Sequence, residues 1–296
     1  MSVLIIGGSG YIGSHLSQKL CSQNIPVTVW DLQAPPSSNS SQLEFVQRNF
    51  LSVDSSDLRK FETVVLLAGV SSVRAAQADP GLAIQSNIEG LVRLIGAVGE
   101  KLLIYASSGS VYDGCGGHPA TEGSPLSQPR NVYDLSKQAG DEIATLYGER
   151  WLGLRFGTVN GVSPRIRTDL VVNRMTLTAC QSREVEVSNP HVHRSILCVD
   201  DLVNFLSKLV HDQPDASYSG VLNLASFNAT IGEIGASIAN QLGATIVERP
   251  ATSTYNFSMS TTKARAMFGF NPSTTIETLV KSLEAHYRSN QIFGKS

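Results

Sequence analysis

Tyr133 and Lys137 are the two side chains in this sequence whose types and spacing first suggest catalysis. They lie four residues apart in a stretch that predicts a helix over 132–147, which places both on one helix face. A free tyrosine has a pKa of about 10, too high for an efficient base at neutral pH. A neighbouring ammonium favours the phenolate, which then takes a proton from an alcohol as hydride leaves its carbon. The pair also fits a solvated helix face with a structural tyrosine, so other residues must decide between these interpretations.

A hydroxyl group at a strand end is the second requirement of such chemistry, because the reacting oxygen must be held in place. The apolar stretch 102–106 predicts a buried strand, and Ser107 and Ser108 follow at its end. In sheets of parallel strands, ligands bind at the edge formed by the carboxyl ends. These serines are therefore candidates to hold the reacting oxygen.

Three glycines spaced by three residues predict a phosphate site near the start of the chain. Gly7, Gly10 and Gly13 follow the apolar run 3–6, which is typical of a buried parallel strand, and they precede a helical pattern of apolar residues. Glycines let the backbone approach a pyrophosphate, and the N–H groups and dipole of a helix N-terminus face its negative charge. The strand, the glycine turn and the helix together predict a dinucleotide site.

Asp31 extends this prediction to the identity of the cofactor. It ends the second predicted strand, eighteen positions after Gly13, where a carboxylate accepts hydrogen bonds from adenosine ribose hydroxyls. The same carboxylate repels a 2′-phosphate, and residues 32–34 contain no arginine to neutralise one. The sequence therefore favours NAD over NADP, with a solvated strand end as the alternative interpretation of Asp31.

Strands and helices alternate through the first half of the chain, which is typical of a parallel sheet with helices on both faces. We predict a Rossmann-type, doubly wound α/β fold with an NAD-binding domain over 1–156. Residues 157–296 are predicted to form mainly a smaller α/β substrate-binding lobe, and the return of one strand or helix to the first sheet stays open. The predicted helices include 54–60, 81–98, 132–147, 200–210, 231–242 and 276–288, and a short strand is predicted at 184–187.

The composition excludes several classes of protein. The chain has 296 residues, 42% hydrophobic and 16% charged, with a net charge of −2, whereas nucleic-acid-binding domains are usually strongly basic. No apolar run reaches the roughly 18 residues of a membrane span, and the first strand begins at once, without a secretory signal. Four scattered cysteines indicate reduced thiols in a cytoplasmic protein. His191 and His193 lack a third ligand nearby, so we expect no metal.

The order of these motifs resembles that of the extended short-chain dehydrogenases/reductases, in particular the NAD-dependent epimerase/dehydratase family that includes UDP-galactose 4-epimerase. The resemblance covers nearly the whole chain. The similar segments are residues 7–13 (GGSGYIG), 86–90 (SNIEG), 107–112 (SSGSVY), 133–137 (YDLSK), 172–175 (VNRM), 194–201 (RSILCVDD) and 262–264 (TKA). The resemblance implies the doubly wound fold, the use of NAD and a nucleotide-sugar substrate.

The resemblance also implies roles for individual residues. Ser108, Tyr133 and Lys137 fall on the catalytic serine, the base and its partner. The implied cofactor-binding residues are Gly7, Gly10, Tyr11, Ile12, Gly13, Asp31, Asn49, Phe50, Leu67, Ala68, Gly69, Asn87, Ser107, Tyr133 and Lys137. The implied substrate-binding residues are Ser108, Ser110, Thr158, Asn173, Arg194 and Arg249. Arg194 is the implied diphosphate ligand, a role that suits a guanidinium because it binds phosphate oxygens bidentately.

Several departures from the family pattern concern the substrate and adenine sides of the site. Thr158 stands where many members have Asn, Cys198 replaces the usual His, and residues 49–50 are Asn-Phe where Asp-Ile is common. Gly109 and Ser110 stand where the dehydratase branch carries an acidic pair. Because that pair does the acid and base work of water elimination, its absence from this sequence disfavours 4,6-dehydration.

An NAD-dependent nucleotide-sugar epimerase is the function that this resemblance implies. Tyr133 takes the proton of a sugar hydroxyl while hydride leaves the same carbon, the keto-sugar rotates, and hydride returns to the opposite face. A keto-sugar reductase or secondary-alcohol dehydrogenase with the same triad is one alternative, and a non-catalytic NAD-binding scaffold is another. The family also implies a homodimer, and we expect neither nucleic acid nor membrane as a partner.

Overall fold

A computed structural model describes residues 2–36, 40–215 and 218–290 of the chain. The strands are β1 (Val3–Ile6), β2 (Val27–Asp31), β3 (Leu43–Gln47), β4 (Thr63–Leu66), β5 (Leu102–Ser108), β6 (Pro119–Ala120), β7 (Trp151–Phe156), β8 (Thr158–Asn160), β9 (Glu184–Val187), β10 (His193–Cys198), β11 (Gly220–Leu224), β12 (Phe227–Thr230), β13 (Thr245–Glu248) and β14 (Ser258–Met259). The α-helices are α1 (Tyr11–Ser22), α2 (Val73–Ala78), α3 (Pro80–Ile84), α4 (Gly90–Val98), α5 (Val132–Tyr147), α6 (Val171–Ser182), α7 (Val199–Asp212), α8 (Ile231–Leu242), α9 (Thr262–Phe268) and α10 (Ile276–Ser289).

The chain divides into two compact units. The first unit comprises Met1–Val111, Ser127–Arg155 and Val203–Leu222, and the second comprises Tyr112–Leu126, Phe156–Leu202 and Asn223–Ser296. The predicted catalytic and cofactor-binding residues lie in the first unit. Of the predicted substrate residues, Ser108 and Ser110 lie in the first unit, whereas Thr158, Asn173, Arg194 and Arg249 lie in the second.

The first unit is built on a seven-stranded sheet in the order β11-β7-β5-β4-β1-β2-β3. β1 pairs in parallel with β2 and β4, and further parallel pairs join β2 to β3 and β4 to β5. The strand order changes direction at β1, so this is the predicted doubly wound, Rossmann-type sheet. The crevice at the carboxyl ends of β1 and β4 is the switch point at which such folds bind ligands. β11, from the second half of the chain, joins this sheet beyond β7.

Both faces of the sheet are covered, as a parallel sheet requires. Leu4 of β1 belongs to a core cluster that includes Leu94 of α4 and Ala144 of α5. The next residue, Ile5, points to the opposite face because successive strand side chains alternate, and it is also fully buried. Burial on both faces explains why β1 is a continuous apolar run rather than an alternating pattern.

Two predicted helices differ from the structure by more than their end residues. The helix predicted over 81–98 is interrupted, because a π-helical segment at Gln85–Glu89 joins α3 to α4. The helix predicted over 54–60 is wrong, since the chain forms turns there. The Asp54 carboxylate accepts a hydrogen bond from the Ser56 N–H at 2.8 Å. Asp57 in the same segment is held by Arg48, whose Nη1 donates to the Asp57 Oδ1 at 2.7 Å.

A three-stranded sheet and three helices form the centre of the second unit. β10 pairs antiparallel with β12 and parallel with β8. The core includes Met175 of α6, Ile234 and Ile238 of α8, and Leu283 of α10. The parallel pairs β13–β9 and β14–β6 add two small sheets. The predicted bounds of α8 and β9 are confirmed, and α10 ends one residue later than predicted.

Two further features are absent from the part of the chain that the structure describes. None of its helices combines the length and the apolar character that a membrane span needs. The same residues contain no group of three or more His, Cys, Asp and Glu side chains that could hold a metal ion.

Candidate active site

The glycine turn between β1 and α1 brings three segments of the chain close together. Gly7 has a φ of +86°, a left-handed conformation that favours glycine. A β-carbon on Gly7 would lie 2.5 Å from the backbone nitrogen of Ala68, and one on Gly13 would lie 2.2 Å from the Gly7 carbonyl oxygen. Because only glycine fits at either position, the glycine turn, the start of α1 and the turn after β4 form a cradle lined by backbone.

The start of α1 has the properties of an anion site. Its N-cap residue, Gly10, provides no side-chain cap, and the first helical turn, which begins with Tyr11 and Ile12, contains no acidic residue. The hydroxyl of Ser9 is buried and has no hydrogen-bond partner among the described residues. Backbone N–H groups and the positive end of the helix dipole attract phosphate. The cradle, with Leu67 in the turn after β4, therefore fits the pyrophosphate of a dinucleotide.

Asp31 lies at the end of β2, beside this cradle. Its Oδ2 accepts a hydrogen bond from the backbone N–H of Ser9 at 3.0 Å, and its Oδ1 accepts one from the backbone N–H of Gln33 at 3.1 Å. These two bonds fix the carboxylate against the glycine turn. Each carboxylate oxygen can accept further bonds, so the side chain fits the predicted contact with ribose hydroxyls, which stays a prediction.

Asn87 holds the turn after β4, which forms the other side of the cradle. Gly69 in this turn has a φ of +129°. The Asn87 Oδ1 accepts from the backbone N–H of Val70, and its Nδ2 donates to the Val70 carbonyl, both at 2.9 Å. The same Nδ2 donates to the Ser136 hydroxyl at 3.0 Å. Asn87 thus ties the turn to α5, and its predicted contact with the cofactor stays a prediction.

Asn49 and Phe50 lie after β3 and have clear local roles. The Asn49 Oδ1 accepts from the Leu51 N–H at 3.0 Å and caps a short 3₁₀ turn. Phe50 is 6% exposed and packs against Gly90, where a β-carbon would lie 2.6 Å from the phenyl ring. Phe50 therefore contributes to the core of the first unit, and the predicted cofactor contacts of both residues stay predictions.

Helix α5 carries the predicted base and its partner. The helix is capped by Asn131, whose Oδ1 accepts from the Asp134 N–H at 3.0 Å. The Lys137 Nζ lies 5.7 Å from the centre of the Tyr133 ring, so the two side chains share one helix face. The same Nζ donates a hydrogen bond to the Ala106 carbonyl at 2.8 Å. This bond ties the first turns of α5 to the carboxyl end of β5.

Sequence reasoning did not find the buried network around Asp141. Its Oδ1 accepts from the Tyr105 hydroxyl at 3.0 Å and its Oδ2 from the Arg155 Nε at 2.8 Å. Burial lowers the pKa of Lys137 to about 8, and the Asp141 carboxylate acts in the opposite direction. The available signal was the spacing, because Asp141 follows Lys137 by four residues and shares its helix face.

The end of β5 carries the predicted serines. Ser107 and Ser108 are both buried. The Ser107 hydroxyl has no partner among the described residues, whereas the Ser108 Oγ donates to the Ser110 Oγ at 3.0 Å. Since β5 lies next to β4 in the sheet, these hydroxyls lie at the same carboxyl edge as the cradle. The first unit therefore brings the cradle, the serines and the Tyr133–Lys137 pair to one edge.

Arg194 is the strongest ligand candidate in the second unit. It lies on β10, is 9% exposed, and donates from Nη2 to the Thr254 hydroxyl. Its Nη1 is buried without a hydrogen-bond partner among the described residues. Burial lowers the pKa of Arg194 to about 10, so the group stays charged at neutral pH. A buried cation with an unused donor fits an anionic group such as a diphosphate.

The other predicted substrate residues of the second unit have different surroundings. Asn173 is fully buried, and its Oδ1 accepts from the Gly161 N–H at 2.9 Å. Arg249 is exposed and donates from Nε to the Glu186 carboxylate at 3.1 Å. Thr158 is half-buried on β8. The substrate contacts of these three residues stay predictions.

Comparison with known proteins places this geometry in a family. UDP-glucuronate 4-epimerase 6 of Arabidopsis thaliana is 30% identical over 230 residues, which are 69% of this chain and 50% of that protein. Protein CapI of Staphylococcus aureus is 29% identical over 245 residues, 74% of this chain and 73% of that protein. The chain thus spans about half the length of the first relative and 73% of the length of the second.

A solved structure and a family match agree with these relatives. The structure of MoeE5 in complex with UDP-glucuronic acid and NAD is 25% identical and superposes with a TM-score of 0.84 over 98% of this chain and 100% of that one. The NAD dependent epimerase/dehydratase family matches residues 3–225. That match includes the glycine cradle, Asp31 and the Tyr133–Lys137 pair. The chain therefore belongs to the NAD dependent epimerase/dehydratase family.

Proposed function

We propose that the protein is an NAD-dependent nucleotide-sugar epimerase. The observation that carries this proposal is that Tyr133, Lys137 and Ser108 lie at the same sheet edge as the glycine cradle. The Lys137 Nζ is 5.7 Å from the Tyr133 ring centre. The relative from Arabidopsis thaliana is named a UDP-glucuronate 4-epimerase, and the MoeE5 structure holds UDP-glucuronic acid and NAD. These names support UDP-linked hexoses or hexuronic acids as the substrate class.

The side chains of the first unit supply the proton chemistry of this proposal. Tyr133, as a phenolate, removes the proton of the sugar hydroxyl and later returns it. Lys137 stabilises the phenolate through its positive charge, and Ser108 holds the reacting oxygen. The glycine cradle would hold NAD, which would supply the acceptor and donor of the hydride. The substrate is inverted at one carbon, and no redox equivalent is consumed.

Most of the proposed substrate contacts belong to residues of the second unit. The unused Nη1 of Arg194 suits an oxygen of the substrate diphosphate. We assign further substrate contacts to Thr158, Asn173 and Arg249, and to Ser110 of the first unit. In this division of labour, residues 1–156 bind NAD and residues 157–296 mainly bind the nucleotide sugar.

A cytoplasmic homodimer is the proposed form of the enzyme. Leu82 of α3, Val92 of α4, and Leu135 and Leu146 of α5 are large apolar side chains that are between 46% and 72% exposed. A second copy of the chain would remove this apolar surface from water. Leu146→Glu should then shift the purified protein from dimer to monomer in sedimentation, whereas a monomeric wild type would contradict the dimer.

The central experiment measures epimerisation directly. The holoenzyme is incubated with UDP-glucuronic acid or UDP-glucose, and the sugar epimers are separated by chromatography. Tyr133→Phe should lower turnover by about 10²- to 10⁴-fold, the usual contribution of a general base. Tyr147→Phe is the matched control, because Tyr147 is 73% exposed on the same helix.

Two results would change the proposal. Stoichiometric consumption of NADH or NADPH with a keto-sugar would identify a reductase instead of an epimerase. Full turnover by Tyr133→Phe would exclude the proposed mechanism.

A further inference from the structure

A chain of hydrogen bonds leads from Ser108 to a buried carboxylate. The Ser108 Oγ donates to the Ser110 Oγ at 3.0 Å, and the Ser110 Oγ donates to the Asp134 Oδ1 at 3.0 Å. The Ser110 N–H also donates to the Ser108 Oγ at 3.2 Å. Asp134 is 2% exposed. The residue next to the proposed base therefore reaches the hydroxyl that is proposed to hold the reacting oxygen.

The Asp134 carboxylate determines which hydroxyl donates and which accepts in each of these side-chain hydrogen bonds. An ionised carboxylate only accepts hydrogen bonds, so Ser110 gives its hydrogen to Asp134. The Ser110 oxygen is then left as an acceptor, and it takes the hydrogen of Ser108. The Ser108 oxygen is held from two sides, because it also accepts from the Ser110 backbone.

Asp134 also has bonds to the segment that leads into α5. Its Oδ2 accepts from the Asn131 Nδ2 at 2.8 Å and from the Arg130 N–H at 3.3 Å. These two donors require an oxygen at this position. The Asp134 side chain thus connects the approach to α5, which carries Tyr133, with the segment after β5, which carries Ser108.

Capping of the helix does not account for the bond to Ser110. The cap of α5 is the Asn131 side chain, which accepts from the Asp134 backbone. A carboxylate in the first turn of a helix is favourable without any further partner, because it faces the positive end of the helix dipole. The bond between Asp134 and Ser110 joins α5 to the segment after β5. A second bond then joins Ser110 to the Ser108 hydroxyl.

We propose that Asp134 is a positioning residue that acts through Ser110 to fix the place of the Ser108 oxygen. The proposal rests on the proposed function, in which Ser108 holds the reacting oxygen. It assigns to Asp134 and Ser110 a role in the rate of proton and hydride transfer rather than in the affinity for the nucleotide sugar.

Three single variants and one double variant test this role in the holoenzyme. Ser110→Ala removes the hydroxyl that links Ser108 to Asp134 by hydrogen bonds. Asp134→Ala removes the carboxylate that accepts the hydrogen of Ser110. Ser127→Ala is the control, because the Ser127 hydroxyl donates to the Val111 carbonyl at 3.0 Å and so supports the same segment without joining the chain.

The expected result is a loss of kcat with an unchanged KM. Misplacement of a reacting group lowers rates by up to about 100-fold, and we expect about tenfold for Ser110→Ala and for Asp134→Ala. Ser127→Ala should keep the wild-type kcat. Because Asp134 acts through Ser110, the double variant should be no slower than Ser110→Ala alone. Multiplying losses in the double variant, or a wild-type kcat in either single variant, would overturn the proposal.

Crystal structures separate this proposal from the proposed function. The Ser108 Oγ should leave its wild-type position in Ser110→Ala and keep it in Ser127→Ala. An unmoved Ser108 Oγ in Ser110→Ala would overturn the positioning role whatever the substrate is. Absence of turnover in the wild type would instead refute the proposed function, and the crystal structures would still decide the role of Ser110.

Discussion

Replacement of Lys137 by methionine is the most direct test of the electrostatics of this site. The substitution keeps a long, unbranched side chain and removes only the ammonium group and its hydrogen bond to the Ala106 carbonyl. We expect a large loss of kcat/KM at neutral pH, because the Tyr133 phenolate loses the positive charge of Lys137. Lys137→Arg is the matched control, since it keeps the charge.

The size of the expected loss follows from the distance between the Lys137 ammonium and the Tyr133 ring. The Lys137 ammonium lies 5.7 Å from the centre of the Tyr133 ring. At this separation two unit charges interact by about 3 kcal/mol if the effective dielectric constant is about 20. Since each 1.4 kcal/mol is a factor of about ten, the phenolate fraction of Tyr133 in Lys137→Met should fall by about 100-fold.

The pH dependence provides the decisive assay. Burial lowers the pKa of Lys137 to about 8, so the wild-type enzyme itself loses the ammonium charge as the pH rises through 8. The ratio of wild-type to Lys137→Met kcat/KM should therefore be about 100 near pH 6.5 and should shrink above pH 8. A ratio that is the same at every pH would refute the electrostatic role and would favour a purely structural one.

Three further substitutions test other parts of the site. Gly13→Ala should weaken NAD binding at least about tenfold in calorimetry, because its β-carbon would lie 2.2 Å from the Gly7 carbonyl oxygen; unchanged affinity would contradict the cradle. Asp141→Asn should lower the free energy of unfolding in urea by about 3–5 kcal/mol, because it removes the Asp141 charge from the buried ion pair with Arg155; a loss below about 1 kcal/mol would contradict this expectation. Arg194→Ala should raise the KM for the nucleotide sugar by about 10- to 100-fold with little change in kcat, and a loss confined to kcat would argue against a diphosphate contact.

Features with a local physical cause were predictable from the sequence. The bounds of α5 agree with the predicted helix over 132–147, and the face shared by Tyr133 and Lys137 follows from the helical repeat. The glycine turn follows from residues that alone permit a positive φ and a close backbone approach, as Gly7 shows. The doubly wound fold follows from the alternation of apolar strands and amphipathic helices.

Features that depend on contacts between distant residues were not predictable. Asp57, within the turns at 54–60 that replace a predicted helix, accepts a hydrogen bond from Arg48, nine residues away. The π-helical segment Gln85–Glu89 contains Asn87, whose bonds to Val70 and Ser136 join positions 17 and 49 residues away. Neither residue type specifies these outcomes without its partners.

The sequence by itself determined the cradle, the Asp31 carboxylate and the Tyr133–Lys137 pair, because each depends on a local repeat or on one residue type at a turn. Only the tertiary structure decided what surrounds Ser108. The link from Ser108 through Ser110 to Asp134 spans 24 residues between Ser110 and Asp134. A hydrogen bond between residues this far apart in the sequence forms only after the packing of the sheet and its helices has brought a strand end and a helix start together.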